Sequence, residues 1–173
     1  RHLSTQARDK AIHYEHSSIG FNYRLSNISA AIGLGQMTVL DERVNKRREI
    51  FSKYNTLLKN IEGINFMPEP KGYKSSRWLT TLTVDKDCHG KSHLDIIKFL
   101  SEHEIESRPL WKPMHMQPVF KGVPYHGKHF DESLFNSGIC LPSSSNLTKD
   151  EQEEVVSLIL QFCFVTKRFS SKN

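Results

Sequence analysis

Two short segments hold the residue types best suited to chemistry. The first is Gly20-Phe21-Asn22-Tyr23-Arg24-Leu25-Ser26, which sets an amide, a phenol and a guanidinium just before a helix start. Free backbone N–H groups, the positive end of the helix dipole and the donors of Asn22 and Arg24 suit an oxyanion such as phosphate. The same residues also read as a turn asparagine and a solvated arginine, and residue type alone does not choose. The second segment is Arg108-Pro109-Leu110-Trp111-Lys112-Pro113-Met114-His115-Met116-Gln117-Pro118. It places Arg108, Lys112, Trp111 and His115 on a proline-stiffened loop. Aromatic stacking with nearby charge suits a planar anionic ligand such as a nucleotide. The competing reading puts Trp111 in the core with Lys112 lying over it.

Other chemistries find less support. The chain has 9 His, and Cys88-His89 with His93 has ligand-like spacing, but no second half-site accompanies it and no metal is expected. Gly33-Leu34-Gly35 sits inside a helical pattern without a third glycine, so it suits close helix packing better than phosphate binding. No Gly-x-Ser-x-Gly turn exists for a nucleophilic serine. Cys88, Cys140 and Cys163 are an odd, unclustered set, which reads as reduced thiols in a cytosolic protein. That setting, with a helix start at the first of them, argues against use of the Asn27-Ile28-Ser29 and Asn146-Leu147-Thr148 sequons.

The elements that must position these residues follow from periodicity. Residues 1–24 are polar loop with short extended pieces. A long helix is expected from Asn27 to about Asn60, capped by Ser26 or Asn27 and ended by Gly63. Its first half is small and apolar, its second half charged. Residues 64–75, with Pro68, Pro70 and Gly72, read as a turn-rich connection. Arg77 to Val84 reads as a strand, Asp85 to Gly90 as a turn, and Ser92 to His103 as a helix burying Leu94, Ile97 and Leu100. Glu104 to Leu110 reads as a strand, 111–128 as a long loop, His129 to Ser137 as a short helix and Gly138 to Leu141 as a strand. The last helix runs from Thr148 to about Phe169, with Thr148 and Glu151 as a capping box and Val155, Leu158, Ile159 and Phe162 buried. The order from Pro68 gives an α/β sandwich of α+β type, with helices on one face of a short sheet.

Composition bounds the rest. The 173 residues suit one domain of ordinary size, and 37% hydrophobic residues argue against wholesale disorder. No apolar run approaches the ~20 residues of a membrane helix. The formal charge of +5 suits anionic partners without choosing among them. The basic run Arg43 to Arg48 is diluted by Glu42 and Glu49, so nucleic acid is not the expected partner. The chain opens at Arg1, not Met, without a signal-like stretch, so either its start has been removed or it is part of a longer protein.

GFNYRLSNISAAIGLGQM (20–37), RPLWKPMHMQP (108–118) and CLPSS followed by LTKDE (140–151), with the opening HLSTQARDK, resemble the DegT-type nucleotide-sugar aminotransferases in order and separation. These are pyridoxal-phosphate enzymes of the aspartate-aminotransferase fold. The resemblance implies residues 1–25 as the end of the large cofactor domain, 26–62 as a connecting helix, 63–169 as the C-terminal small domain with a mostly antiparallel sheet, and 170–173 as a tail. It implies that Asn22 contacts the cofactor phosphate of the neighbouring subunit, with Arg24 beside it and Tyr23 between. Arg108, Trp111, Lys112 and His115 match the loop lining the nucleotide-sugar cleft. The implied enzyme is a cytoplasmic homodimer passing an amino group, usually from glutamate, to a keto-sugar nucleotide for polysaccharide or related glycans. The family's Schiff-base lysine falls upstream of Arg1, so these residues alone are expected to be inactive. Alternatives are a lysine-less dehydratase or regulatory member of the family, or a non-catalytic phosphate- or nucleic-acid-binding domain.

Overall fold

The computed structural model describes the backbone of residues 1–170 and the side chains of residues 1–88 and 90–163. The chain divides into two compact units, Arg1–Asp41 and Glu42–Asn173. The tail expected at 170–173 lies, beyond Ser170, outside the described residues.

In the first unit a narrow ribbon forms between residues 3–6 and 21–23. Phe21 N donates to Leu3 O (2.7 Å), Gln6 N to Phe21 O (2.9 Å) and Tyr23 N to Ser4 O (3.0 Å). Gly20 lets the ribbon close, because a Cβ there would lie 2.3 Å from the backbone N of Ala7. Helix α1 (Asn27–Met37) follows, and the Ser26 hydroxyl accepts from Ser29 N.

The single helix expected over 27–60 is two helices, α1 and α2 (Leu40–Leu58). The break falls at Thr38-Val39, where the Thr38 hydroxyl donates to Gly35 O (2.8 Å) and Val39 N donates to Gln36 O rather than to Gly35. A β-branched pair with a back-bonding hydroxyl ends the regular ladder.

The second unit carries β1 (Ile64–Phe66), β2 (Thr80–Val84), the one-turn α3 (Lys86–His89), α4 (His93–Glu102), β3 (Arg108–Pro109), α5 (Phe130–Phe135), β4 (Gly138–Leu141) and α6 (Lys149–Ser170). The four strands pair antiparallel in the order β1-β2-β4-β3. Alternation along β2 sends Leu82 and Val84 to one face, where they meet Ile139 and Leu141 of β4. Helices α2, α4 and α6 cover that face with Ile50, Tyr54 and Leu58, with Ile96 and Leu100, and with Val155, Ile159 and Phe162. Each such aliphatic side chain contributes about 1.5–3 kcal/mol when fully buried. Gln152 adds a polar link from α6, its Nε2 donating to Ile50 O (2.7 Å) inside the core.

Several expectations shift. Ile64–Phe66, expected as connection, is an edge strand on β2. β2 starts at Thr80 because Arg77 has φ 49°, which interrupts the extended run. β3 is only two residues long, since Glu104 turns the chain with φ 61° and Pro109 has no N–H to continue a ladder. In α4 the buried face is His93, Ile96 and Leu100, and Leu94 is exposed. Leu100 is buried as expected and Ile97 packs half-buried against the core, so His93 and Ile96 join the stripe and only Leu94 leaves it. The capping box of α6 forms as expected, with Thr148 N donating to Glu151 Oε2 (2.7 Å) and Glu151 N to Thr148 Oγ1 (3.2 Å). All three cysteines are free, with Cys140 and Cys163 buried.

Candidate functional site

The first candidate region follows the ribbon. Phe21 and Tyr23 stack with ring centroids 5.3 Å apart and planes 7° from parallel. Stacking of residues two apart puts both rings on one side of an extended segment and sends Asn22 to the other, with Arg24 next in that alternation. Asn22, Tyr23 and Arg24 are all exposed. Among the described residues neither Asn22 nor Arg24 has a side-chain hydrogen bond or ion pair. The first turn of α1 contains no acidic residue, so nothing there repels an anion. Unspent amide and guanidinium donors beside a helix N-terminus fit a phosphate group.

The second region lies at the end of β3. Arg108 pairs with Cys140 across the sheet and Leu110 N donates to Gly138 O (3.1 Å), which launches the loop beyond. Gly138 is required there, because a Cβ would meet Leu110 Cδ1 at 2.1 Å and Leu134 O at 2.5 Å. A cleft of about 430 Å³ opens beside this turn, lined by Leu79, Glu106, Arg108, Trp111, Cys140 and Ser143 among others. Burial pushes the Cys140 thiol above its ordinary value, which keeps it a neutral, inert wall. The Ser143 hydroxyl accepts from Thr80 N (2.8 Å) and donates to Leu141 O (2.7 Å), fixing the corner after β4.

Trp111 stands at the rim with 64% of its surface exposed, so it does not fill the core. Its ring lies 5.8 Å from that of Trp78, tilted by 34°. Arg108 Nε donates to Glu106 Oε1 (2.7 Å), and that carboxylate must be exchanged before Arg108 can take an external anion. Lys112 is exposed, and among the described residues its ammonium has no partner. His115 differs from the other three. It is half-buried, its Nε2 lies 2.7 Å from Glu132 Oε1, and its ring packs 3.9 Å from Tyr125. Both its nitrogens face carboxylates of α5, so its contribution to the cleft loop is positional.

Sequence reasoning missed Trp78 and Glu106. Trp78 reads as a strand residue because it sits in a β-rich run, but the left-handed Arg77 turns it out. Arg77 itself is buried, its Nη1 donating to Met67 O (2.8 Å) and its guanidinium lying 3.7 Å above the Phe51 ring.

The basic run of α2 is spent internally. Arg48 holds Glu69 in a two-pronged pair at 2.8 and 3.0 Å, and Arg47 donates to Trp78 O. Arg43 reaches Asn146 Oδ1 (3.3 Å), and Lys53 reaches Glu153 (2.7 Å). The Cys88–His93 segment assembles no ligand set among the described residues. His93 is buried, Cys88 leans on Asp85, and the His89 side chain lies outside the described residues. No described helix is long and apolar enough to cross a membrane.

Comparison with known proteins brings these regions under one heading. A model of the DegT/DnrJ/EryC1/StrS aminotransferase family matches residues 1–160. EpsN of Bacillus subtilis (strain 168) is 52% identical over 165 residues, which cover 92% of this chain and 42% of EpsN. The GDP-perosamine synthase of Vibrio cholerae is 30% identical over 151 residues, covering 86% of this chain and 40% of the synthase. The crystal structure of the aminotransferase TlmJ from Streptoalloteichus hindustanus matches with a TM-score of 0.81 at 21% identity, over 95% of this chain and 44% of TlmJ, a likeness of fold. The chain spans about two-fifths of the length of the curated relatives it matches.

Proposed function

The chain belongs to the DegT/DnrJ/EryC1/StrS aminotransferase family, whose members depend on pyridoxal phosphate, and on that premise we propose that it is the C-terminal part of a sugar aminotransferase. The enzyme is a cytoplasmic homodimer with shared active sites. It moves an amino group from glutamate to a keto-sugar nucleotide for polysaccharide or glycan synthesis. The observation that carries this reading is the pair of unspent donors, Asn22 and Arg24, beside an α1 N-terminus free of acidic residues.

When bound, the cofactor supplies an electron sink that stabilises charge at the carbon exchanging its amino group. The residues of this chain bind and orient. The Asn22 amide would donate to the phosphate of the cofactor in the neighbouring subunit, and the Arg24 guanidinium would offset its charge. Tyr23, stacked on Phe21, stiffens the segment between them. Trp111 would offer the face of its indole to the nucleotide base, with Trp78 packed against it. Lys112, and Arg108 once it exchanges Glu106, balance the diphosphate. His115 holds the loop in place. The amine that reacts with the cofactor comes from outside these residues, so the chain alone is inactive.

The test uses the full-length protein, glutamate and a panel of keto-sugars linked to GDP, dTDP and UDP. The expected products are an amino-sugar nucleotide and 2-oxoglutarate, with residues 1–173 alone giving neither. Cofactor binding without any amino transfer overturns the reading in favour of a dehydratase-like or regulatory member.

A further inference from the structure

Two histidines of the 111–129 loop, His115 and His129, converge on α5 in a way that the cleft does not use. His115, His129 and Glu132 each bring one potential ligand atom within 4.8 Å of the other two. Both imidazole nitrogens point at the same oxygen, Glu132 Oε1, with His115 at 2.7 Å and His129 closer still. One carboxylate oxygen between two imidazoles is arranged around a shared positive charge. The second nitrogen of His115, Nδ1, lies 3.5 Å from Asp131 Oδ2, and Asp131 in turn accepts from the Tyr125 hydroxyl (2.7 Å). A carboxylate behind the far nitrogen of a histidine is the outer support that orients a metal-ligating ring.

We infer that His115, His129 and Glu132 form a divalent transition-metal site, of zinc type, that clips the cleft loop to α5. Two imidazoles and one carboxylate are the donor set of open zinc sites, leaving a fourth position for water. Tetrahedral bonds of about 2.0–2.1 Å put neighbouring ligand atoms about 3.4 Å apart. The cluster therefore needs only a small outward movement to admit the ion. His129 can make it, since its ring is 65% exposed and it stands at the start of α5, while His115 stays half-buried against Tyr125. His129 holds φ 56°, an unusual conformation for a residue with a side chain, and that conformation aims its ring at Glu132 three residues on. Two neutral imidazoles, Glu132 and the nearby Asp131 together balance a doubly charged ion.

The clip joins residue 115 to residues 129 and 132 across the Pro- and Gly-containing segment between them. It thereby holds the base of the loop that presents Trp111 and Lys112. Nothing in this site depends on the cofactor or on amino transfer, so it stands or falls separately from the proposed activity.

The test is direct metal binding by the purified full-length protein after treatment with a chelator. Calorimetry with Zn²⁺ and visible spectroscopy with Co²⁺ are the readouts. One equivalent of Zn²⁺ is expected, with the intense Co²⁺ bands of tetrahedral coordination. His129→Ala, an exposed change that leaves the fold intact by circular dichroism, should abolish both. Asp131→Asn should weaken affinity about 10–100-fold. His13→Ala, in the other compact unit, should change neither. Stoichiometric binding that survives His129→Ala overturns the site, as does the absence of any tetrahedral Co²⁺ signal in the parent protein.

Discussion

Individual side chains divide into those already committed and those left available. Asn22, Arg24 and Lys112 are available, whereas Arg48, Arg77 and His115 are spoken for by Glu69, Met67 and Glu132. Asn22→Ala or Arg24→Ala in the full-length protein should each weaken cofactor retention by about 1.5–3 kcal/mol, the worth of a charge-assisted hydrogen bond. Equilibrium dialysis of the cofactor measures it, and unchanged retention in both variants rejects the assignment. Trp111→Ala should raise KM for the sugar nucleotide with little change in Tm, because most of the ring is solvent-exposed. A large fall in Tm would instead make Trp111 a structural plug. Residue type singles out both segments as candidates without deciding between a site and ordinary surface or core. The state of their members was not legible, since whether Arg108 meets Glu106 or His115 meets Glu132 depends on how the loop folds. The proposed metal cluster was not legible because His115 lies 14 positions before the His129–Glu132 pair, and only the folding of the loop brings it there.

Among the elements, what could be read was what periodicity writes down. The capping box and buried stripe of α6, the β4 strand and the α4 helix were all visible. Two things were not. The break at Thr38-Val39 comes from a hydroxyl bonding back to Gly35, and edge strand β1 is only three residues of Ile-Asn-Phe between turn formers. The link from α2 to the 67–77 connection makes a pH-dependent prediction. The two-pronged bond from Arg48, reinforced by Ser75 N, holds the Glu69 carboxyl down to about 2 from an ordinary 4.5. A carboxylate whose folded pKa is depressed stabilises fully above its unfolded value and loses that contribution as pH falls through the folded one. The urea midpoint should therefore decline between about pH 4.5 and pH 2. Glu69→Gln should be less stable at pH 7 and show a flatter decline over that window. An identical slope in both proteins excludes Glu69 as the source.

At the scale of the whole molecule, α1 matters for the surface it exposes. Ile28, Ile32, Leu34 and Met37 are 76%, 62%, 73% and 65% exposed, and the helix has no buried residue. The proposed homodimer needs an apolar surface, and this helix carries one. Ile32→Glu in the full-length protein should halve the mass seen by light scattering, while an unchanged mass moves the contact elsewhere. The Trp78–Trp111 pair has a practical consequence. These are the chain's two tryptophans; Trp111 lines the cleft and Trp78 packs against it. Their ultraviolet emission is thus a built-in optical probe. A nucleotide sliding against either indole should quench it, so occupancy can be followed in real time with no dye attached.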